Sequence, residues 1–254
     1  MILRIITLFF LLSTYILLPG CAASPDEEDP TKGMDVKEIY EEASSSLKKG
    51  NYENAITMYE RLEARFPYGQ YAERAQIEIA FAYYKDGEPE SAILAADRFI
   101  KLHPNHKNVD YAYYLRGLAS YDLSESFLQG LFDVDPSQHD PKAARRAFEY
   151  FAELIKKYPK SRYSKDALER MALIRNNLAQ YEVHVANFYM RRGAYLAAAN
   201  RCKYVVENYQ RTPAVADALA LMVEAYEKMG MTDLAKDTRR ILEMNYPDHA
   251  SLKK

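Results

Sequence analysis

Apolar and small residues along this chain recur at helical rather than strand spacing, and the pattern itself repeats. Ala55 is followed by Tyr59, Leu62 and Phe66 at +4, +7 and +11, which is one stripe of a 3.6-residue helix. The same register follows Ala92 (Phe99), Ala147 (Phe151, Leu154, Tyr158), Ala198 (Val205, Tyr209) and Ala235 (Leu242, Tyr246). Four copies carry a Gly five residues before the Ala, at Gly50, Gly87, Gly193 and Gly230, and the third has Lys142 there. A Gly closes a helix because it enters the left-handed cap conformation without a Cβ clash. Four copies carry a Pro twelve residues after the Ala, at Pro67, Pro104, Pro159 and Pro247; the fourth has Gln210, with Pro213 beyond. Such a Pro stops a helix, since its ring clashes with the carbonyl one turn back.

An upstream series has the same period of 37. Ala43, Ala80 and Gly117 are all small, and Tyr40, Ile77, Tyr114 and Leu47, Tyr84, Tyr121 accompany them. Each unit therefore reads as two antiparallel helices crossing at small residues. One such pair cannot bury both faces, so neighbours must stack. The predicted pairs are 36–49 with 51–66, 70–86 with 88–102, 108–124 with 141–158, 162–192 with 194–209, and 213–229 with 231–245. Copies two and three are 55 residues apart, which leaves residues 125–141 as an ordered loop rich in Gly, Asp and Pro. Copies three and four are 51 apart, and a stretch free of Pro and Gly up to Gly193 predicts one long helix from about Arg162 to Arg192. The fold class is all-α: a right-handed superhelical solenoid of five helix pairs similar to tetratricopeptide repeats, though with a longer period and without Trp.

The first thirty-five residues stand apart. Arg4 precedes an apolar run from Ile5 to Leu18, too short to span a bilayer comfortably and suited to a signal peptide over residues 1–20. Leu18-Pro19-Gly20-Cys21 resembles a bacterial lipobox, with Pro19 a departure, and makes Cys21 the expected lipidation site. Residues 21–35 then hold the lipidated Cys and a tether whose Asp26-Glu27-Glu28-Asp29 run cannot build a core. Ala22, where sorting to the inner membrane commonly has Asp, favours the outer membrane. The remainder divides into N-terminal repeats over 36–125 and C-terminal repeats over 126–254 with an inserted loop over 126–141.

Composition removes several function classes. A formal net charge of −2 gives no electrostatic footprint for nucleic acid. There is no Gly-rich phosphate loop, no His-Glu-x-x-His and no Gly-x-Ser-x-Gly, so neither an enzyme nor a cofactor is expected. His103 and His106 flank a turn without further ligands. Asp133, Asp135 and Ser137 open like a calcium loop, but Pro136 interrupts it, Gln138 replaces its Gly and Ala144 its Glu, so no metal site is expected. With Cys21 lipidated, Cys202 is left as a free thiol in a small apolar slot. Tyr is abundant, with 22 copies. The stripes absorb most of them, while Tyr68, Tyr71, Tyr83 and Tyr113 are placed to line a groove for extended peptides.

Particular stretches carry a closer resemblance: Phe66-Pro67-Tyr68-Gly69-Gln70-Tyr71, then Asp97-Arg98-Phe99-Ile100-Lys101-Leu102-His103-Pro104, Tyr114-Leu115-Arg116-Gly117-Leu118, and Leu128-Gln129-Gly130-Leu131-Phe132-Asp133 with Asp140-Pro141. Leu178-Ala179-Gln180-Tyr181-Glu182 and the Asn200-Arg201 pair complete them. The chain resembles the BamD (YfiO, ComL) family, lipoproteins of the β-barrel assembly machinery. The resemblance implies an outer-membrane, periplasm-facing scaffold. Its partners would be a BamA-like barrel protein, accessory Bam lipoproteins and unfolded outer-membrane protein clients. It implies partner binding in the C-terminal repeats over 126–254, at Arg201 and Asn200, and client binding in the N-terminal repeats over 36–125, at Phe66, Tyr68, Gly69 and Arg98. A pilotin-like repeat lipoprotein assisting secretin assembly is the alternative, though it gives no reason for the 125–141 loop. A lipid-anchored cell-wall enzyme would need a catalytic domain for which 36–247 leave no room. A coordinator like the periplasmic partner of the Tol–Pal system is usually not lipidated.

Overall fold

The computed structural model describes residues 29–129 and 141–253, so the expected signal peptide, Cys21 and Asp133, Asp135 and Ser137 lie outside the described residues. Ten α-helices follow in order. They are α1 (Val36–Lys48), α2 (Tyr52–Arg65), α3 (Gln70–Lys85), α4 (Pro89–Leu102), α5 (Val109–Gln129), α6 (Lys142–Lys157), α7 (Ser164–Arg191), α8 (Tyr195–Asn208), α9 (Ala214–Lys228) and α10 (Thr232–Asn245). A short 3₁₀ turn over Ala250–Lys253 follows. Among the described residues no helix is long and apolar enough to cross a membrane.

The helices pair as the pattern predicts. Each packs on its successor in the chain, and the first helix of every pair also touches the first helix of the next, which stacks the five pairs into a solenoid. Ala43, Ala80, Ala55, Ala92, Ala147 and Ala198 have no exposed surface, because the helices cross there at close range. Gly117 takes the same position on α5, and Phe151 of α6 lies where its Cβ would be, 2.5 Å from ring Cε1. Gly50, Gly87, Gly193 and Gly230 all have φ between +72° and +80°, the left-handed caps between the two helices of a pair. The fourth repeat, lacking Pro after its second helix, turns instead through Arg211 at φ +68°, the one non-Gly residue with positive φ among those described.

Two differences stand out. The first helix of the third pair does not stop near 124 but runs on to Gln129, because nothing before Gly130 breaks it. The end of the tether is fastened rather than loose. Arg65 of α2 donates to the Thr31 carbonyl and, at 2.9 Å, to its hydroxyl, and Thr31 is fully buried. Asp35 then caps α1, with Glu38 bonding back to its backbone N–H at 2.8 Å.

The core is not uniform along the stack. One cluster unites the first pair with α3 around Ile39, Tyr59 and Leu62. A second runs from Ile77 and Phe99 through Phe151, Leu178 and Val205 to Leu242, binding the later pairs into one body. Cys202 belongs to it, fully buried, and burial pushes its thiol up to about 12, so it behaves as a small apolar residue.

Candidate interaction sites

The expected partner contact lies on α8. Asn200 is exposed, as the surface face of an amphipathic helix should be. Arg201 is half-exposed, yet it is not a free surface arginine. Its Nη1 donates to Glu182 Oε2 of α7 at 3.0 Å. Glu182 is only 1% exposed, and its other oxygen accepts from Arg145 Nη2 of α6 at 3.3 Å. Burial disfavours the charged Arg201, but the facing Glu182 carboxylate outweighs it and raises the guanidinium's affinity for its proton. A buried carboxylate needs such compensation, since an unpaired one would be costly. Sequence reasoning missed both Arg145 and Glu182.

The expected client residues fall into two places. Phe66 ends α2 half-buried against the first core cluster, with the Arg65 guanidinium 5.3 Å from its ring centroid. Tyr68 is 90% exposed at the turn that follows, and Gly69 opens α3 with φ +99°, a conformation a side chain would strain. Arg98 is elsewhere, on the wall of a cleft of about 530 Å³ enclosed by α2, α3 and α4. There Arg98 approaches Glu63 Oε2 at 3.5 Å, while Glu63 Oε1 is buried without a hydrogen-bond partner. Leu94, 70% exposed, stands at the same cleft, and Tyr83 donates to Glu60 at 2.6 Å. Of the four, Arg98 alone lines the cleft, while Phe66, Tyr68 and Gly69 lie together at the turn between α2 and α3.

The other tyrosines expected in a groove also separate. Tyr83 lines the cleft, and Tyr71 packs on the first core. Tyr113 is buried in the second core and so lines no groove. It accepts from Lys157 at 2.6 Å and lies beneath the guanidinium of Arg116. Arg116, itself buried, reaches Asp97 at 2.7 Å and Glu153 at 2.5 Å and stacks 4.1 Å from the Tyr150 ring centroid, tying α4, α5 and α6 together. His103 meets Gln76 at 2.6 Å, and His106 comes within 4.0 Å of Glu73. Among the described residues no three potential ligands gather to hold a metal ion.

Antiparallel helix pairs stacked one on the next define the chain as a helical-repeat protein. Residues 32–242, which run from before the first pair into the last helix, match the model of the YfiO family, described as outer membrane lipoprotein. The chain belongs to that family. It is 46% identical over 217 residues to a Neisseria meningitidis protein named outer membrane protein assembly factor BamD, covering 85% of this chain and 81% of that one. A Xylella fastidiosa protein of the same name is 40% identical over 243 residues, covering 96% and 83%. The Vibrio cholerae protein of that name is 35% identical over 229 residues, covering 90% and 94%.

Proposed function

We propose that this chain is a non-catalytic scaffold of an outer-membrane β-barrel assembly complex. It is anchored by lipid at Cys21 on the periplasmic face. Its C-terminal repeats dock on a BamA-like barrel protein, with Arg201 and Asn200 at the contact, alongside accessory Bam lipoproteins. Its N-terminal repeats receive unfolded outer-membrane protein clients, with the exposed Tyr68 at the turn beside Phe66 and Gly69, and Arg98 at the cleft.

The observation that carries this reading is the extent of the likeness: relatives named as assembly factors share 35–46% identity with this chain over most of its length. The physical form agrees with the role. A stack of helix pairs offers long grooves and large exposed faces, which suit the binding of extended chains and folded domains. The test is affinity purification of the tagged, lipidated protein from its own envelope in mild detergent. The expected result is a polytopic barrel protein with periplasmic repeat domains, lost with Arg201→Glu in a variant that still melts like the parent. Recovery of a secretin without such a barrel would overturn the reading in favour of a pilotin.

A further inference from the structure

Three successive helices converge on one buried carboxylate. Arg145 comes from α6, Glu182 from α7 and Arg201 from α8, and the two guanidinium groups take one carboxylate oxygen each. Glu182 is 1% exposed, while each arginine side chain is 45% exposed. The cluster therefore holds two positive charges against one negative. Each guanidinium has five N–H donors in a planar fork and gives one hydrogen bond to Glu182. Nearly half of each side chain is left open to solvent beside its neighbour.

A pair of forks with a surplus positive charge is complementary to an external carboxylate, which can accept from both at once. Long arginine side chains ordinarily lose conformational freedom on binding. Here Glu182 has already fixed both, so less is lost when the partner arrives. We propose that Arg145 is the second half of the docking contact. Arg145 and Arg201 together grip one acidic side chain of the barrel protein, and Glu182 is the positioning residue that sets them side by side. This rests on the docking reading above.

The test titrates the full-length lipidated chain in mild detergent with the purified barrel protein of the same envelope, reading Kd and both rates at low and high salt. Arg145→Ala and Arg201→Ala are each expected to weaken binding at least about tenfold, more at low salt than at high. The double variant is expected to lose less than the product of the two, because both arginines serve one group. Arg145→Lys, which keeps the charge, is expected to recover part of the loss. Glu182→Gln adds one net positive charge while releasing a fork, so association at low salt should quicken and dissociation should quicken more. Wild-type affinity in Arg145→Ala, with affinity lost in Arg201→Ala, would overturn the proposal and leave the docking reading intact. Losses that simply multiply in the double variant would overturn the shared grip. An Arg145→Ala defect that tracks a lowered melting temperature and is not recovered by Lys would make the residue merely structural. Failure of the wild-type chain to bind the barrel protein would overturn both readings.

Discussion

At Gly117 the backbone of α5 comes against the Phe151 ring, and even a methyl group there would lie 2.5 Å from ring Cε1. Phe151 is itself fully buried among α5, α6 and α7, so it has little room to yield. Gly117→Ala is expected to destabilise the protein by about 1–3 kcal/mol, the usual cost of overfilling a packed core, read as a lowered melting temperature. An unchanged melting temperature would mean that the ring can move aside. The small residue was legible because Ala43, Ala80 and Gly117 recur at one interval. The residue four positions earlier was not. Ile39, Gln76 and Tyr113 occupy it in the first three pairs, and all are buried. Glu182 occupies it four before Ala186, and Leu219 four before Val223, and these are buried too. A slot that holds Ile, Gln, Tyr, Glu and Leu has no common chemistry to betray it. Chemistry alone thus suggests a groove for Tyr113 and gives Glu182 no place in the core, and both are buried.

Each element shows how its ends are held. The second helices of four pairs stop before a Pro, and α8 stops without one, through Arg211 in the left-handed region. A side chain there costs about 1–2 kcal/mol, more than the roughly 0.5–1 kcal/mol that Gly costs by loosening the unfolded chain. Arg211→Gly is accordingly expected to raise the melting temperature, and a lower value would show that the Arg211 side chain contributes a compensating contact. Between elements, the ion pairs add a pH dependence. Burial pushes the Glu153 carboxyl up, but hydrogen bonds from Lys157 and Arg116 outweigh it and hold the group below the usual carboxylate range. Tyr114 and Arg170 do the same for Asp166. A carboxyl that binds its proton less readily when folded stabilises the fold above its unfolded pKa, and that contribution is lost as pH falls through the folded value. The melting temperature should hold from neutrality to about pH 4.5 and fall below it, less steeply in Glu153→Gln. A flat profile to about pH 3 would show that these pairs contribute nothing to stability. The 55-residue interval marks an insertion after α5 but not where the helix ends within it, and the first turn-forming residue there is Gly130, so α5 continues to Gln129.

Across the whole molecule, stacked pairs make contacts mostly with their neighbours, so stability is distributed along the stack. The core of the first pair extends into α3 and meets α4 at Ala95, whereas the second cluster runs continuously from Ile77 to Leu242. Hydrogen exchange is expected to be fastest in α1 and α2 and slowest in α6 to α8, and uniform protection along the chain would contradict that division. The number of pairs, their glycine caps and their approximate boundaries, the end of α5 excepted, followed from periodicity. What the surface binds did not, because a binding surface is made of residues far apart in sequence. Arg145, Glu182 and Arg201 illustrate this, being separated by 37 and 19 positions.

Helix α7 is 28 residues long, or about 42 Å at 1.5 Å per residue, twice the length of α8 beside it. Near its start Asp166 accepts from Tyr114 of α5, and further along Glu182 joins Arg145 of α6 to Arg201 of α8. The helix has no Pro or Gly at which to bend. It works as a stiff lever whose two arms are embedded in different portions of the stack. A helix without a break resists bending along its length, so a tilt imposed on one arm is expected to reach the other as a displacement.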